Sequence, residues 1–450
     1  MMLHLYNLLL PVARAGARLA ALWRPKLRAG IAGRQDSEAH LLQQARTVRR
    51  PLVWMHSTSV GEYEQARPVA RALREARPDV GLLHTFFSPS GFEYARRLAE
   101  AEWIDYLPED TPGRMARTLD GVRPDVLVFL KFDIWPNLVM QASRRHIPLL
   151  LLDATLHAGS LRNRWPARSL YASLYDRLSV ISAVTETDAA RFRRIVPHHA
   201  GIVVDGDTRF DQVARRRASS QAVSLPQWFT RPGRPFTLLA GSTWGPDEDV
   251  VVPAWARVRE QQEAGPACLI LVPHEPTEPH LRHLERRLQS RRLSFRRMSS
   301  LPGAEGIPAG SDAPGALRDP DAIDVLLVDR VGVLAELYAH ADCAYVGGAF
   351  TTGVHNVMEP AIAALPVWFG PRHQNAPEAA HLVEAGAAAV VRSPVELAAR
   401  IQKMRNDPQH RQDTGARARN YVESNLGASQ RCVQRILPFL PAPGRSEEAT

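Results

Sequence analysis

The chain has 450 residues, 45% hydrophobic and 23% charged, which supports two globular domains and excludes a disordered or fibrous protein. Three scattered cysteines, Cys268, Cys343 and Cys432, exclude a disulfide framework and, with no CxxC pair, point to thiols in a reducing compartment. The formal net charge of +9 calls for an anionic partner; no zinc-ligand spacing, RNA-recognition signature or helix-turn-helix supports nucleic acid, which leaves a membrane surface or a charged substrate.

Residues 1–35 come first. Arg14, Arg18, Arg24, Lys26, Arg28 and Arg34 precede the first acidic residue, Asp36. On a helix, Leu5, Leu8, Leu9, Val12, Ala15, Leu19, Leu22 and Trp23 share one face, with Asn7, Arg14 and Arg18 opposite. Arginines inside the apolar stretch argue against a bilayer span, and charge that follows the apolar run argues against a signal peptide. The expectation is a helix in the interface of an anionic membrane, apolar face down and arginines towards headgroups. The alternative is a helix packed on its own domain.

Over residues 36–215, apolar runs at Leu52–Met55, Val80–His84, Asp125–Leu130, Ile147–Asp153, Leu178–Val184 and Gly201–Val204 read as buried parallel strands. Helical stretches such as Glu62–Ala76 and Phe92–Glu100 lie between them. Residues 216–232, rich in Arg, Ser, Gln and Pro, read as a linker. The alternation restarts over 233–438 with Phe236–Ala240, Ala267–Val272, Val325–Val328, Asp342–Val346 and Pro366–Phe369. Ser299–Pro320 reads as a loop within this second domain, and 439–450 as a disordered tail. The predicted architecture is α/β: two Rossmann-like domains facing a central cleft, with ligands beyond the carboxyl ends of the strands.

Unusual residues fall just after strands. Glu62, in Ser59-Val-Gly-Glu62, follows a strand at the first turn of a helix, where a carboxylate suits a general base for a sugar hydroxyl. The same spacing is a capping box, which satisfies amides and does no chemistry, and whose hydrogen bonds lower a carboxyl pKa. Lys131 and Arg209 end apolar strands and are candidates for stabilising a phosphate leaving group or a substrate carboxylate; the alternative is an ion-pair network with Asp133, Asp207 and Asp211. In the second domain, Ser242 and Thr243, then His274 and Glu275, follow strands. The stretch Gly347–Pro360 carries Gly348, a loop, and His355-Asn356 opening a helix with Glu359, a pattern for phosphate amides and a ribose-binding carboxylate. A Gly-rich turn with Asn356 as helix cap explains it equally. Asp319-Pro-Asp321 has the form of a metal-binding DxD but reads as a turn, and the seven arginines of Arg282–Arg297 read as a solvated helix face.

Together and in this order, SVGE at Ser59–Glu62, IWPN at Ile134–Asn137, GDTRFD at Gly206–Asp211, GST at Gly241–Thr243, VPHE at Val272–Glu275 and GGAFTTGVHNVMEP at Gly347–Pro360 resemble the Kdo (3-deoxy-D-manno-octulosonic acid) transferases of lipopolysaccharide assembly. So does Gly370-Pro371 with Asn375 and Glu378 downstream. The resemblance runs from about Leu5 to Cys432. It implies a GT-B fold and an inverting, metal-independent, cofactor-free transfer from CMP-Kdo to a lipid A precursor (lipid IVA) at the cytoplasmic face of the inner membrane. It assigns the general base to Glu62 and donor binding to His274, Glu275, Val331, Gly332, Val333, Asn356, Val357, Met358 and Glu359. The best-known branch has ETEIWPN, with glutamate where Lys131 stands, lysine where Arg209 stands, and a CMP-binding arginine where His274 stands. Lysine before the IW dipeptide together with GDTRFD resembles another branch. The rival readings are a different sugar-nucleotide transferase or epimerase on this scaffold, and an inactive membrane-bound paralogue.

Overall fold

The computed structural model describes residues 2–98, 100–219, 225, 234–260, 265–301 and 323–443. Most of the expected linker, residues 302–320 of the Ser299–Pro320 loop, Asp319 and Asp321, and the tail past 443 lie outside the described residues. The chain divides into one unit of Met1–Gln212 with Asn425–Thr450, and a second of Val213–Ser424.

The first unit holds seven parallel strands: β1 (Leu52–Ser57), β2 (Gly81–Phe86), β3 (Trp103–Tyr106), β4 (Val126–Leu130), β5 (Leu149–Ala154), β6 (Val180–Ala183) and β7 (Ile202–Val204). Their order is β3-β2-β1-β4-β5-β6-β7. Every residue of β1, β2, β4 and β5 is buried, because helices cover both faces of a parallel sheet. The second unit repeats the design with β8 (Phe236–Thr243), β9 (Ala267–Pro273), β10 (Phe295–Arg297), β11 (Val325–Leu327), β12 (Cys343–Val346), β13 (Val367–Phe369) and β14 (Ala388–Val390). Their order is β10-β11-β9-β8-β12-β13-β14. Winding reverses between β1 and β4 in one sheet and between β8 and β12 in the other. These are the switch points at which doubly wound sheets bind ligands, and two Rossmann-like units in one chain are the GT-B pattern. All three cysteines are buried free thiols.

One boundary departs from the sequence reading. The final helix, Ala428–Ile436, assigned above to the second domain, belongs to the first unit. Cys432, Val433 and Ile436 join the core that holds Val53, Met55, Tyr63 and Val69. Asp211 accepts hydrogen bonds from the Gly427 and Ser429 amides at 2.7 and 2.6 Å, and Asp205 pairs with Arg435 at 2.9 Å. The expected linker also begins as helix, since Thr208–Ser219 runs through residue 216.

The N-terminal helix, Met2–Ala20, is fastened to the first unit by its polar side. Tyr6 Oη donates to Asp110 Oδ2 at 2.9 Å, Asn137 Nδ2 donates to Asn7 Oδ1 at 2.8 Å, and Arg14 pairs with Glu109 at 2.5 Å. Its apolar side faces outward: Leu8, Val12 and, just beyond the helix, Trp23 are 73%, 70% and 75% exposed. A helix on a globular domain ordinarily turns its apolar stripe to the core; here the sense is reversed. Arg14, expected to face headgroups, instead serves as a fastening to Glu109. Among the described residues no helix is long and apolar enough to cross a membrane.

Candidate active site

In the first unit the chain leaves β1 at Ser57, turns through Thr58 and Ser59, and enters the helix Val60–Ala76. Ser59 is extended (φ −134°, ψ 171°) and its Oγ accepts from the Glu62 amide at 3.5 Å. Glu62 Oε2 reaches back to accept from the amides of Thr58 at 2.5 Å and Ser59 at 3.2 Å. No hydrogen bond from the described residues reaches Oε1. The side chain is 4% exposed. Burial raises its pKa from 4.5 to about 7, helped by the charge of Asp133 and opposed by the two amides and Lys131. The capping box is therefore real, but its hydrogen bonds do not win: desolvation exceeds them, leaving a carboxylate that titrates near neutrality with one oxygen unengaged.

Lys131 follows β4, across the switch point from β1, in the left-handed region (φ 65°). Its amide donates to Leu152 O at 2.8 Å and its carbonyl accepts from Thr155 N at 3.1 Å. Nζ stands 5.4 Å from the Phe132 ring centroid. Asp133 pairs with Arg162 at 3.5 Å, so among the described residues Lys131 has no ion-pair partner. Arg209 grips Asp207, with Nη2 and Nε at 2.6 and 2.9 Å from Oδ2. Asp211 serves the last helix, so the three aspartates of the proposed network go to three different tasks. Asp153, not singled out in the sequence, is wholly buried at the end of β5. It accepts from Thr208 N and Oγ1 at 3.0 and 3.1 Å, and burial with the nearby charge of Asp207 raises its pKa.

Two further groups escape sequence reading. Asp110, 5% exposed, accepts from the amides of Asn137 and Leu138 at 3.0 and 2.9 Å at the start of the helix Pro136–Arg144. Burial raises its pKa to about 6. His56 is held neutral, its pKa lowered to about 3 by burial. Its Nε2 accepts from Trp135 Nε1 at 2.9 Å, so Nδ1 carries the proton donated to Thr85 Oγ1 at 3.0 Å. The IWPN motif is thus a positioned turn: Trp135 is tied to His56, Pro136 opens the helix, and Asn137 sits on Asp110. An aspartate in PEDTP has no spacing that would announce this.

In the second unit the predicted donor residues gather at the carboxyl ends of four adjacent strands, β11, β9, β8 and β12. Ser242 (φ 52°) and Thr243 end β8; Thr243 O accepts from His274 N at 2.9 Å after β9. Gly347 and Gly348 follow β12. A Cβ on Gly347 would stand 2.2 Å from Ser242 O, and Gly348 has φ 93°, so both positions require glycine. Trp244, His274 and His355 form a stack: the histidine rings are 4.5 Å apart at 12°, and Trp244 Nε1 donates to His355 Nε2 at 3.1 Å. Burial, then proximity to His274, lowers the His355 pKa. Glu275, Val331 and Gly332 are exposed, and Val333 is half-buried.

The helix after His355 is short, Met358–Ile362, and its first amide is taken: Met358 N donates to Asn356 Oδ1 at 3.0 Å. Gly348 N donates to buried Asp247 Oδ2 at 2.9 Å. The hydrogen bonds of a self-capped glycine turn are therefore present, and Val357 and Met358 are buried beneath it. Glu359 pairs with Arg216 at 3.2 Å. Among the described residues no group of three or more His, Cys, Asp or Glu is placed to hold a metal ion. Of the Arg282–Arg297 run, Arg282 and Arg297 pair with Glu278 at 2.8 and 2.7 Å and Arg287 with Asp249 at 2.6 Å, which anchors the run on its own domain.

A family model described as 3-deoxy-D-manno-octulosonic-acid transferase (kdotransferase) matches residues 29–212, ending where the first unit passes to the second. The 3-deoxy-D-manno-octulosonic acid transferase of Bordetella pertussis is 30% identical over 435 residues, covering 93% of this chain and 95% of that protein. The enzyme of the same name from Haemophilus influenzae is 25% identical over 392 residues, 86% of this chain and 87% of its own. Among solved structures, UDP-GlcNAc 2-epimerase from Neisseria meningitidis superposes with a TM-score of 0.58 at 14% identity, over 86% of this chain and 100% of that one; at that identity the likeness shows the fold alone.

Proposed function

The chain belongs to the Kdo transferase family and is a glycosyltransferase, and from that premise we propose that it moves Kdo from CMP-Kdo to a lipid A precursor with inversion and without a metal or cofactor. Glu62 Oε1 takes the proton from an acceptor hydroxyl. The hydroxyl oxygen attacks the anomeric carbon of Kdo through an oxocarbenium-like state, the bond from that carbon to the phosphate oxygen breaks, and CMP leaves with the electron pair. Lys131 and Arg209 supply positive charge to the leaving phosphate or the Kdo carboxylate. On the donor side, the strand-end groups Ser242, Thr243, His274, Glu275, Gly348 and His355, the Val331–Val333 turn and Asn356–Glu359 bind the nucleotide. His274, in the place of an arginine, offers the phosphate a ring nitrogen and the base a flat ring. The lysine at 131 supports a place in the branch with lysine before the IW dipeptide.

The observation that carries this reading is Glu62: a buried carboxylate near neutrality, one oxygen held and one unengaged, at a sheet's switch point. The exposed apolar face of Met2–Ala20 supports work at the cytoplasmic face of the inner membrane. Purified protein is to be incubated with lipid A precursor and either a CMP-Kdo-generating system or UDP- and GDP-sugars. Transfer from CMP-Kdo alone is expected; turnover of a UDP-sugar overturns the donor assignment, and inertness towards every donor favours the inactive paralogue.

A further inference from the structure

A cavity of about 200 Å³ lies within the first unit, between the N-terminal helix and the loops that follow β2, β3 and β4. Its walls are mainly apolar: Leu10, Ala13 and Ala17 on the helix, Ile31 on the helix Pro25–Gly33, and Phe87 and Trp135 from the strand ends. Ala13 and Ala17 lie one turn apart, so the helix presents small side chains where larger ones would close the space. Arg14, Arg18 and Arg34 also line it, as do Glu109, paired with Arg14 at 2.5 Å, and Asp110, which accepts from Tyr6 Oη at 2.9 Å. Arg34 is committed, its Nη1 donating to Phe87 O at 2.7 Å and its guanidinium 4.2 Å above the Phe87 ring. Arg18 is exposed and has no ion-pair partner among the described residues, whereas Arg14 is committed to Glu109.

Two connections give this space a use. Outward, Ala13 adjoins Val12, and Leu8, Leu9 and Val12 are exposed on the same helix, so apolar surface runs from the outside of the helix to the cavity. Inward, the far wall meets the catalytic turn. Ser88 N, next to Phe87, donates to Thr58 O at 3.0 Å; Thr58 N donates to Glu62; and Trp135 donates to His56 of β1. A mainly apolar slot with the unpaired Arg18 guanidinium beside it matches an acyl chain attached to an anionic headgroup.

We propose that this cavity receives an acyl chain of the phosphorylated glycolipid acceptor, with Arg18 on its headgroup phosphate and the sugar hydroxyl delivered to Glu62. The assignment rests on the acceptor reading given above. Each buried methylene is worth about fourfold in affinity, so the site measures chain length.

Binding of a glucosamine disaccharide bisphosphate with long or short acyl chains is to be titrated in detergent micelles, using Glu62→Gln protein, which separates binding from turnover. Long chains are expected to bind at least about tenfold more tightly. Adding Ala17→Trp is expected to abolish that preference, with CMP affinity and melting temperature preserved as the check on folding; Ala17→Ser, nearly the same size, is expected to retain it. Equal affinity for both chain lengths, or an undiminished preference in folded Ala17→Trp protein, overturns the proposal. Chain-length-dependent binding by a wild-type protein that transfers no Kdo leaves the cavity assignment standing and removes the proposed reaction instead.

Discussion

At Glu62 the two oxygens of one carboxylate differ: Oε2 is held by two amides, Oε1 takes no bond from the described residues, and burial dominates the balance. With a folded pKa of about 7 against 4.5, proton binding favours the folded state below pH 4.5. That contribution, roughly 3 kcal/mol, is lost as pH rises from 4.5 to 7. Activity has the opposite slope, because the base works deprotonated: kcat/KM is expected to fall about tenfold per pH unit below about 7. Asp133→Asn removes a charge that raises the pKa and moves this acidic limb to lower pH; Lys131→Met removes one that lowers it and moves the limb up. A pH–rate profile of each variant checks this, and limbs that stay fixed or shift in reversed directions contradict it. The capping box was legible from Ser59-x-x-Glu62 spacing alone. Its outcome was not, since the cost of burial depends on neighbours such as Asp133 that arrive from another strand.

Strands reveal the same limit one level up. The eleven apolar runs foretold in the sequence all correspond to strands, because central parallel strands bury both faces and read as unbroken hydrophobic stretches. The three strands that went unread, β3, β10 and β14, are sheet edges of four, three and three residues. Edge strands are short and less buried, so they leave little pattern. The last helix was misassigned for a related reason: its burial marks it as core but not as whose core, and the contacts that tie it back, Asp211, Asp205 and the packing of Cys432, Val433 and Ile436, are all distant in sequence. Asp211→Ala removes the acceptor for Gly427 and Ser429 and is expected to cost the first unit about 2 kcal/mol, or about 4–8 °C in its melting transition by calorimetry. An unchanged transition denies that the return of the chain is a structural clasp.

Taken whole, the molecule combines a basic chain, a helix with its apolar face outward and two parallel sheets, each with a switch point. The helix is held by Tyr6, Asn7 and Arg14, so the residues left outside are those an interface would bury. Replacing Leu8, Val12 and Trp23 together by serine is expected to lower partitioning onto anionic vesicles by more than about tenfold. Co-sedimentation measures it; retention of wild-type binding would place membrane contact elsewhere on the surface. The amphipathic stripe was visible in the sequence, whereas the direction it faces depends on Asp110 and Glu109, far along the chain.

The central claim is that Glu62 is the base of Kdo transfer. It is tested most directly by the initial rate of transfer from CMP-Kdo to lipid A precursor by Glu62→Gln protein at about pH 8, alongside its melting temperature. The account predicts a rate about 10²–10⁴ lower in a protein that melts no lower than wild type, because glutamine avoids burying a charge. A folded variant that transfers Kdo at a near wild-type rate would contradict it.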